Sequence, residues 1–195
     1  TTERINYKDF KLVSEKNPIF SEYFRPSIFL QFDKDKYGRI ELLSFFHYVF
    51  RKINCEENKI NLSISDFCCE GFLIDKDLEN YIKKVIINFP FYSEISEEIK
   101  EYYLLVAQRK FFFFLDPKRT GKIFINDIVT SNILAEFLEL EKVTSKKEME
   151  YNWFSLYNFS RIYRKYVLLD KDKNGLLSKK ELIKYSPGLT SIFID

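Results

Sequence analysis

The chain has 195 residues, 46% of them apolar and 31% charged, with a net charge of only +2. That is enough for one large domain or two small ones with real cores, and too little positive charge for a nucleic-acid footprint. No apolar run approaches the length needed to span a bilayer, and the start, TTERINYKDF, lacks a signal-peptide pattern.

The chain lacks an initiator methionine and stops inside the apolar LTSIFID, so the expectation is a piece of a longer protein. Cys55, Cys68 and Cys69 are odd in number and include neighbours, a poor disulfide framework that suits a reducing compartment. His47 and Trp153 lie among aromatics and are expected to pack. No nucleophile–base constellation, glycine-rich phosphate loop or zinc spacing is present, so an enzyme is the least favoured class.

In chain order, the first punctuated segment is Asp33 to Ser44, with Gly38 sixth and Ile40 eighth. A helix is expected over Leu42 to Ile53. In NKINLSIS, Ile60, Leu62 and Ile64 alternate, which favours a strand by pattern. A second segment, Asp66 to Asp77, again has glycine sixth (Gly71) and an aliphatic eighth (Leu73). The next expected helix, Asp75 to Asn88, is ended by Pro90. Ser96 is placed to cap a long helix from Glu97 to Leu115.

That helix ends in Phe111 to Phe114. At about 100° per residue these four rings sweep the whole circumference, which predicts a helix buried all round between two halves. The sharper alternative is that one side meets a partner protein. A third segment, Asp116 to Asp127, carries Gly121 and Ile123 at the same two places. Ile128, Val129, Leu134, Phe137 and Leu138 then form an apolar face, and a polar connector, Glu141 to Asn152, follows. Ser155 should cap a helix bearing Leu156, Phe159, Ile162, Tyr163, Tyr166 and Val167. Lys179 to Tyr185 should form a last helix, stopped by Pro187 and Gly188.

Between those last helices lies DKDKNGLLSKKE, Asp170 to Glu181, which matches the twelve-residue EF-hand loop. Calcium is a hard cation that takes six to eight oxygens. Asp170, Asp172 and Asn174 would supply side-chain oxygens, Leu176 its carbonyl, Ser178 a direct or water-borne ligand, and Glu181 both carboxylate oxygens. Gly175 permits the left-handed turn, and Leu177 should point into the core.

The other three segments share this loop's Asp, Gly and aliphatic places but not its ligands. The second offers Cys68 and Glu70, and its last residue, Asp77, is short. The third places Lys118 in a ligand slot. An ammonium about 5 Å from a divalent ion, at an effective dielectric of about 20, costs roughly 6 kcal/mol. The first has Asp33, Asp35 and Glu41, but Tyr37 in the fifth slot and Ser44 in the last, which leaves weak metal binding there open. The expectation is therefore an all-α EF-hand array, two hand pairs around a long central helix: 1–92 with loops 33–44 and 66–77, and 93–195 with loops 116–127 and 170–181. Ile40 should face Leu73, and Ile123 should face Leu177.

Several stretches resemble the B'' regulatory subunits of protein phosphatase 2A, in the gamma and fass-like branch. They are INYKDF (5–10), GRIELLSFFHYVFRK (38–52), GFLIDKDLENYI (71–82), RKFFFFLDPKRTGKI (109–123), NWFS (152–155) and LDKDKNGLLSKKEL (169–182). The resemblance implies a non-catalytic, cytoplasmic regulatory subunit that binds the phosphatase scaffold and catalytic subunits and helps select phosphoprotein substrates, with neither nucleic acid nor membrane as partner. Association with cytoskeleton or nucleus is the finer expectation. Calcium tunes assembly in some members, and the metal role carries onto Asp170, Asp172, Asn174, Leu176, Ser178 and Glu181. The competing reading is a free calmodulin-like sensor that binds target helices.

Overall fold

A computed structural model describes residues 3–142 and 146–185. The described chain is largely helical, and its strands are two residues long each. By its contacts it divides into two compact units, Thr1–Asn61 and Leu62–Asp195, so the boundary falls at 61/62 where the sequence suggested 92/93.

In the first unit, β1 (Arg4–Ile5) leads into α1 (Tyr7–Lys16), whose Asn6 cap accepts the Asp9 N–H at 2.9 Å. A 3-10 segment (Pro18–Phe24) and α2 (Pro26–Phe29) follow. The first loop then leads to β2 (Ile40–Glu41) and α3 (Leu42–Ser63). Phe10, Ile28, Phe29, Ile40 and Phe45 form the core of this unit, with Phe10 meeting Phe29 and Phe45 at ring distances of 5.1 and 5.2 Å.

The second unit contains β3 (Phe72–Leu73), α4 (Asp75–Ile86), a 3-10 turn (Tyr92–Glu94), α5 (Glu97–Leu115), β4 (Ile123–Phe124), α6 (Ile125–Thr130), α7 (Asn132–Glu139), α8 (Lys146–Tyr151), α9 (Leu156–Leu169) and α10 (Lys179–Leu182). Its core gathers Leu73, Leu78, Ile82, Tyr103, Phe111, Ile123, Phe137 and Phe154, among others. α5 begins at its expected cap: Ser96 accepts the Ile99 N–H at 3.5 Å. α9 is likewise capped by Ser155.

At the level of single elements, five readings from the sequence are revised by the structure. The alternating residues 60, 62 and 64 do not form a strand, because α3 runs to Ser63. Only Leu62 is buried while Ile60 and Ile64 are exposed, and no Pro or Gly interrupts the run. The apolar stretch after Ile123 is two helices, because the Ser131 side chain accepts the Leu134 N–H and so starts α7 afresh. The polar connector contains α8. α10 ends at Leu182, and its expected stop at Pro187 and Gly188 lies outside the described residues.

The fifth departure is the four-phenylalanine run, which is not buried all round. Phe111 is fully buried, but Phe113 and Phe114 are 75% and 58% exposed, their rings packed edge-on at 5.0 Å. Since α5 ends one residue later, these two rings lie at its end, past the part of the helix that Phe111 anchors. Phe111 meets Phe154 at 5.7 Å, so RKFFFF and NWFS, far apart in sequence, touch in the core. Between them, Lys110 contacts Glu136 at 2.6 Å and lies 4.4 Å from the Trp153 ring centroid and 4.2 Å from that of Phe154. Burial holds its amine below the usual lysine range, and the Glu136 hydrogen bond opposes that shift. Glu136 also accepts the Trp153 N–H at 2.7 Å, and Asn152 donates to the Glu136 carbonyl at 2.6 Å.

The hand pairing differs by one step from the expectation. Ile40 pairs with Ile5, and Leu73 pairs with Ile123, both antiparallel. Counting loops from Asp33 onward misses the short strand before Asn6 that plays the partner's part for the first loop. Once Ile40 is covered by Ile5, the second and third loops face each other, reinforced by the Ile125 N–H donating to the Gly71 carbonyl at 3.0 Å. Leu177 has no strand partner among the described residues.

Candidate metal centre

The second, third and fourth loops share one backbone device. In each, the leading aspartate accepts the N–H of the sixth-place glycine: Asp66 from Gly71 at 2.8 Å, Asp116 from Gly121 at 2.7 Å, and Asp170 from Gly175 at 3.1 Å. The same carboxylates also accept the N–H of the fifth residue, at 3.4, 2.9 and 3.2 Å in turn. The fourth residue of each loop, Cys69, Arg119 or Lys173, takes a left-handed φ of 54–55°, and the glycine two places on takes one of 74–80°. Such a φ is costly for a side-chain-bearing residue, so its recurrence marks one shared loop shape.

Only the fourth loop adds converging ligands to this shape. Single carboxylate oxygens of Asp170, Asp172 and Glu181 lie within 4.8 Å of one another, with Asp170 and Glu181 buried. Asn174 stands beside them, its amide 2.8 Å from Asp172 and its carbonyl oxygen accepting the Leu176 N–H at 2.7 Å. Ser178 caps α10 in a reciprocal box with Glu181, so the end of the loop and the start of the helix fix each other. Glu181 accepts the Ser178 hydroxyl at 2.7 Å, the Ser178 N–H at 2.9 Å and the Lys171 N–H at 2.9 Å. These donors, the Ser178 hydroxyl first, hold its carboxyl down to about 2. A carboxylate that stays ionised, beside two more within a few ångströms, is the donor set a hard divalent cation requires.

The remaining loops are closed by their own groups. In the third, the Thr120 hydroxyl donates to Asp116 at 3.0 Å, and Lys118 stands exposed. The Thr120 N–H, then the Gly121 N–H, hold the Asp116 carboxyl below the ordinary range. In the second, Asp77 turns back to the Ile74 N–H at 3.3 Å and serves the start of α4, while Cys68 and Glu70 are exposed.

The first loop is plugged. Asp35 accepts the N–H groups of Tyr37 and Arg39, both at 2.9 Å, and the Arg39 guanidinium at 2.9 Å. The Arg39 N–H is the largest cause of its lowered pKa. Glu41 accepts the Ser44 hydroxyl at 2.6 Å. The sequence reading missed Arg39. Its signal was an arginine four residues beyond the third-place aspartate, close enough to fold back on it.

No family model matches the chain. The gamma-type B'' regulatory subunit of serine/threonine-protein phosphatase 2A from Bos taurus is 43% identical over 195 residues, 98% of this chain and 43% of the relative. TON2 of Arabidopsis thaliana, which carries the name of a probable B'' regulatory subunit of the same phosphatase, is 38% identical over 99% of this chain and 42% of its own length. A solved structure named as a PP2A PR70 holoenzyme, diCa, superposes with a TM-score of 0.51 at 24% identity, over 60% of this chain and 44% of that one; it speaks to fold. The chain thus spans less than half the length of the curated relatives it matches. Along that span, it is similar to the B'' regulatory subunits of protein phosphatase 2A over nearly its whole length.

Proposed function

We propose that this chain is the EF-hand portion of a non-catalytic regulatory subunit that joins the scaffold and catalytic subunits of protein phosphatase 2A and helps select phosphoprotein substrates in the cytoplasm. The observation that carries this is its identity to B'' gamma subunits over 98% of its length. The contact between its two most distinctive stretches supports it: RKFFFF and NWFS meet through Phe111, Phe154 and the half-buried Lys110–Glu136 pair. Phe113 and Phe114 offer the kind of exposed aromatic surface that docking uses. Co-purification of the full-length protein tests the reading. Scaffold and catalytic chains should come with it at physiological salt, and a Phe113→Ala/Phe114→Ala variant should bring less of both. Their absence from the wild-type preparation overturns it.

Within this reading one calcium ion sits in the 170–181 loop, held by Asp170, Asp172, Asn174, the Leu176 carbonyl, Ser178 and Glu181. The convergence of three carboxylates there supports the assignment. The ion would neutralise that charge cluster and tie α9 to α10. Its affinity is expected in the range of about 10⁻⁷ to 10⁻⁵ M. Calorimetric titration of the whole chain should give one site, and absence of binding heat with no shift in melting on calcium addition would remove it.

A further inference from the structure

Beside the ion loop lies a groove of about 410 Å³, walled by α9, the loop and α10. Ile162, Tyr166, Leu169, Leu177 and Leu182 make it apolar. The charged side chains that line it are Arg161 and Lys165, both positive and both exposed; no acidic residue lines it among the described residues, and Asp170 and Glu181 act on its Tyr166 from the loop behind. Arg161 lies 5.9 Å from the Tyr157 ring centroid and Lys165 5.6 Å from that of Tyr185, and neither has a carboxylate partner among the described residues.

A second observation concerns Leu177. Its counterparts Ile40, Leu73 and Ile123 are each covered by an antiparallel strand and are fully inaccessible. Leu177 is only half-buried and faces the groove. The loop thus presents an open eighth place next to an apolar wall with a wholly positive rim.

We propose that this groove docks a peptide segment of a partner protein in which large apolar side chains are flanked by Asp and Glu. The apolar residues take the wall of Ile162, Leu169 and Leu177. The acidic residues meet Arg161 and Lys165, which excludes the basic amphipathic segments that acidic grooves accept. Leu169 directly precedes Asp170 and Leu182 directly follows Glu181, so an ion drawing those carboxylates together positions both walls. Calcium and peptide therefore strengthen each other's binding reciprocally. This coupling rests on the calcium assignment above; the docking does not.

The test is selection of a phage-displayed random peptide library on the full chain, with calcium and with chelator. Peptides enriched in calcium should combine Leu, Phe or Trp with Asp or Glu. A synthetic copy should bind at least about tenfold more weakly to Ile162→Glu and to the chain in chelator. The exposed double variant Arg161→Glu/Lys165→Glu, matched to wild type by thermal melting, should reverse the selection toward Lys and Arg. Enrichment of basic peptides on the wild type, or equal enrichment on Ile162→Glu, overturns the docking. So does selection that succeeds only when the full chain carries Phe193→Asp, for then its own residues fill the groove. Equal peptide affinity with and without calcium, in a chain that calorimetry shows to bind the ion, overturns the coupling. If calorimetry shows no calcium binding, the ion assignment falls, and the chelator selection alone decides the docking by the same outcomes.

Discussion

The loops 116–127 and 170–181 have one backbone and two chemistries. Both fold the leading aspartate onto the sixth-place glycine N–H and place a left-handed residue fourth. In the first, Thr120 supplies the hydroxyl that completes Asp116, and no group of three metal-ligating side chains gathers there among the described residues. In the second, Asp172 and Glu181 converge on Asp170 instead. Loop shape is therefore carried by hydrogen bonds from the chain itself, and the convergence of carboxylates is a separate layer added by a few side chains. The loops also differ in their neighbours. Ile123 is sealed by Leu73, whereas Leu177 has an open side.

The largest expected effect tests that difference in sealing. Leu73→Ala removes a fully buried side chain from the paired hands and should cost about 2–5 kcal/mol in urea unfolding. Leu177→Ala should cost under about 1 kcal/mol without calcium, since it empties no closed space. Equal losses would break the distinction. Next, Glu181→Gln should weaken calcium binding by about 100-fold in calorimetry, whereas Asp127→Asn, at the same place in the third loop, should leave it unchanged.

A smaller effect concerns the shared turn. Gly121→Ala forces a methyl-bearing residue to φ +74° and should cost about 1–2 kcal/mol, with calcium affinity preserved within about twofold. The subtlest concerns protons. Because Asp116 titrates below its ordinary value when folded, its contribution to stability is complete above the ordinary carboxylate range and fades as pH falls through the folded value. Asp116→Asn should therefore flatten the acid side of the stability–pH curve, and an unaltered slope would show that the Thr120 and Gly121 N–H groups do not hold the charge.

Much of this was legible in the sequence, since Gly and aliphatic spacing located all four loops and the caps at Ser96 and Ser155 set two helix starts. Three of the residues expected at the Asp170 loop, Asp170, Asp172 and Glu181, do converge, because each sits at a fixed loop place. What escaped was decided by contacts across the chain. Ile40 pairs with Ile5, in a two-residue strand with no periodicity of its own, and Leu73 with Ile123. The exposure of Phe113 and Phe114 depends on where neighbouring elements stop, which composition does not state. The Arg39 plug and the half-buried Lys110–Glu136 pair depend on long side chains reaching back to partners.

The closed third loop has a consequence for repair. Every role an ion would play there has been taken over by a different part of the chain: Thr120 satisfies Asp116, and Lys118 holds a ligand place with a charge of the wrong sign. Removing Lys118 alone supplies no oxygen, and lengthening Asp127 alone leaves the lysine in place. Neither single step completes a ligand set, so an ion can be admitted to this hand only by several changes made together.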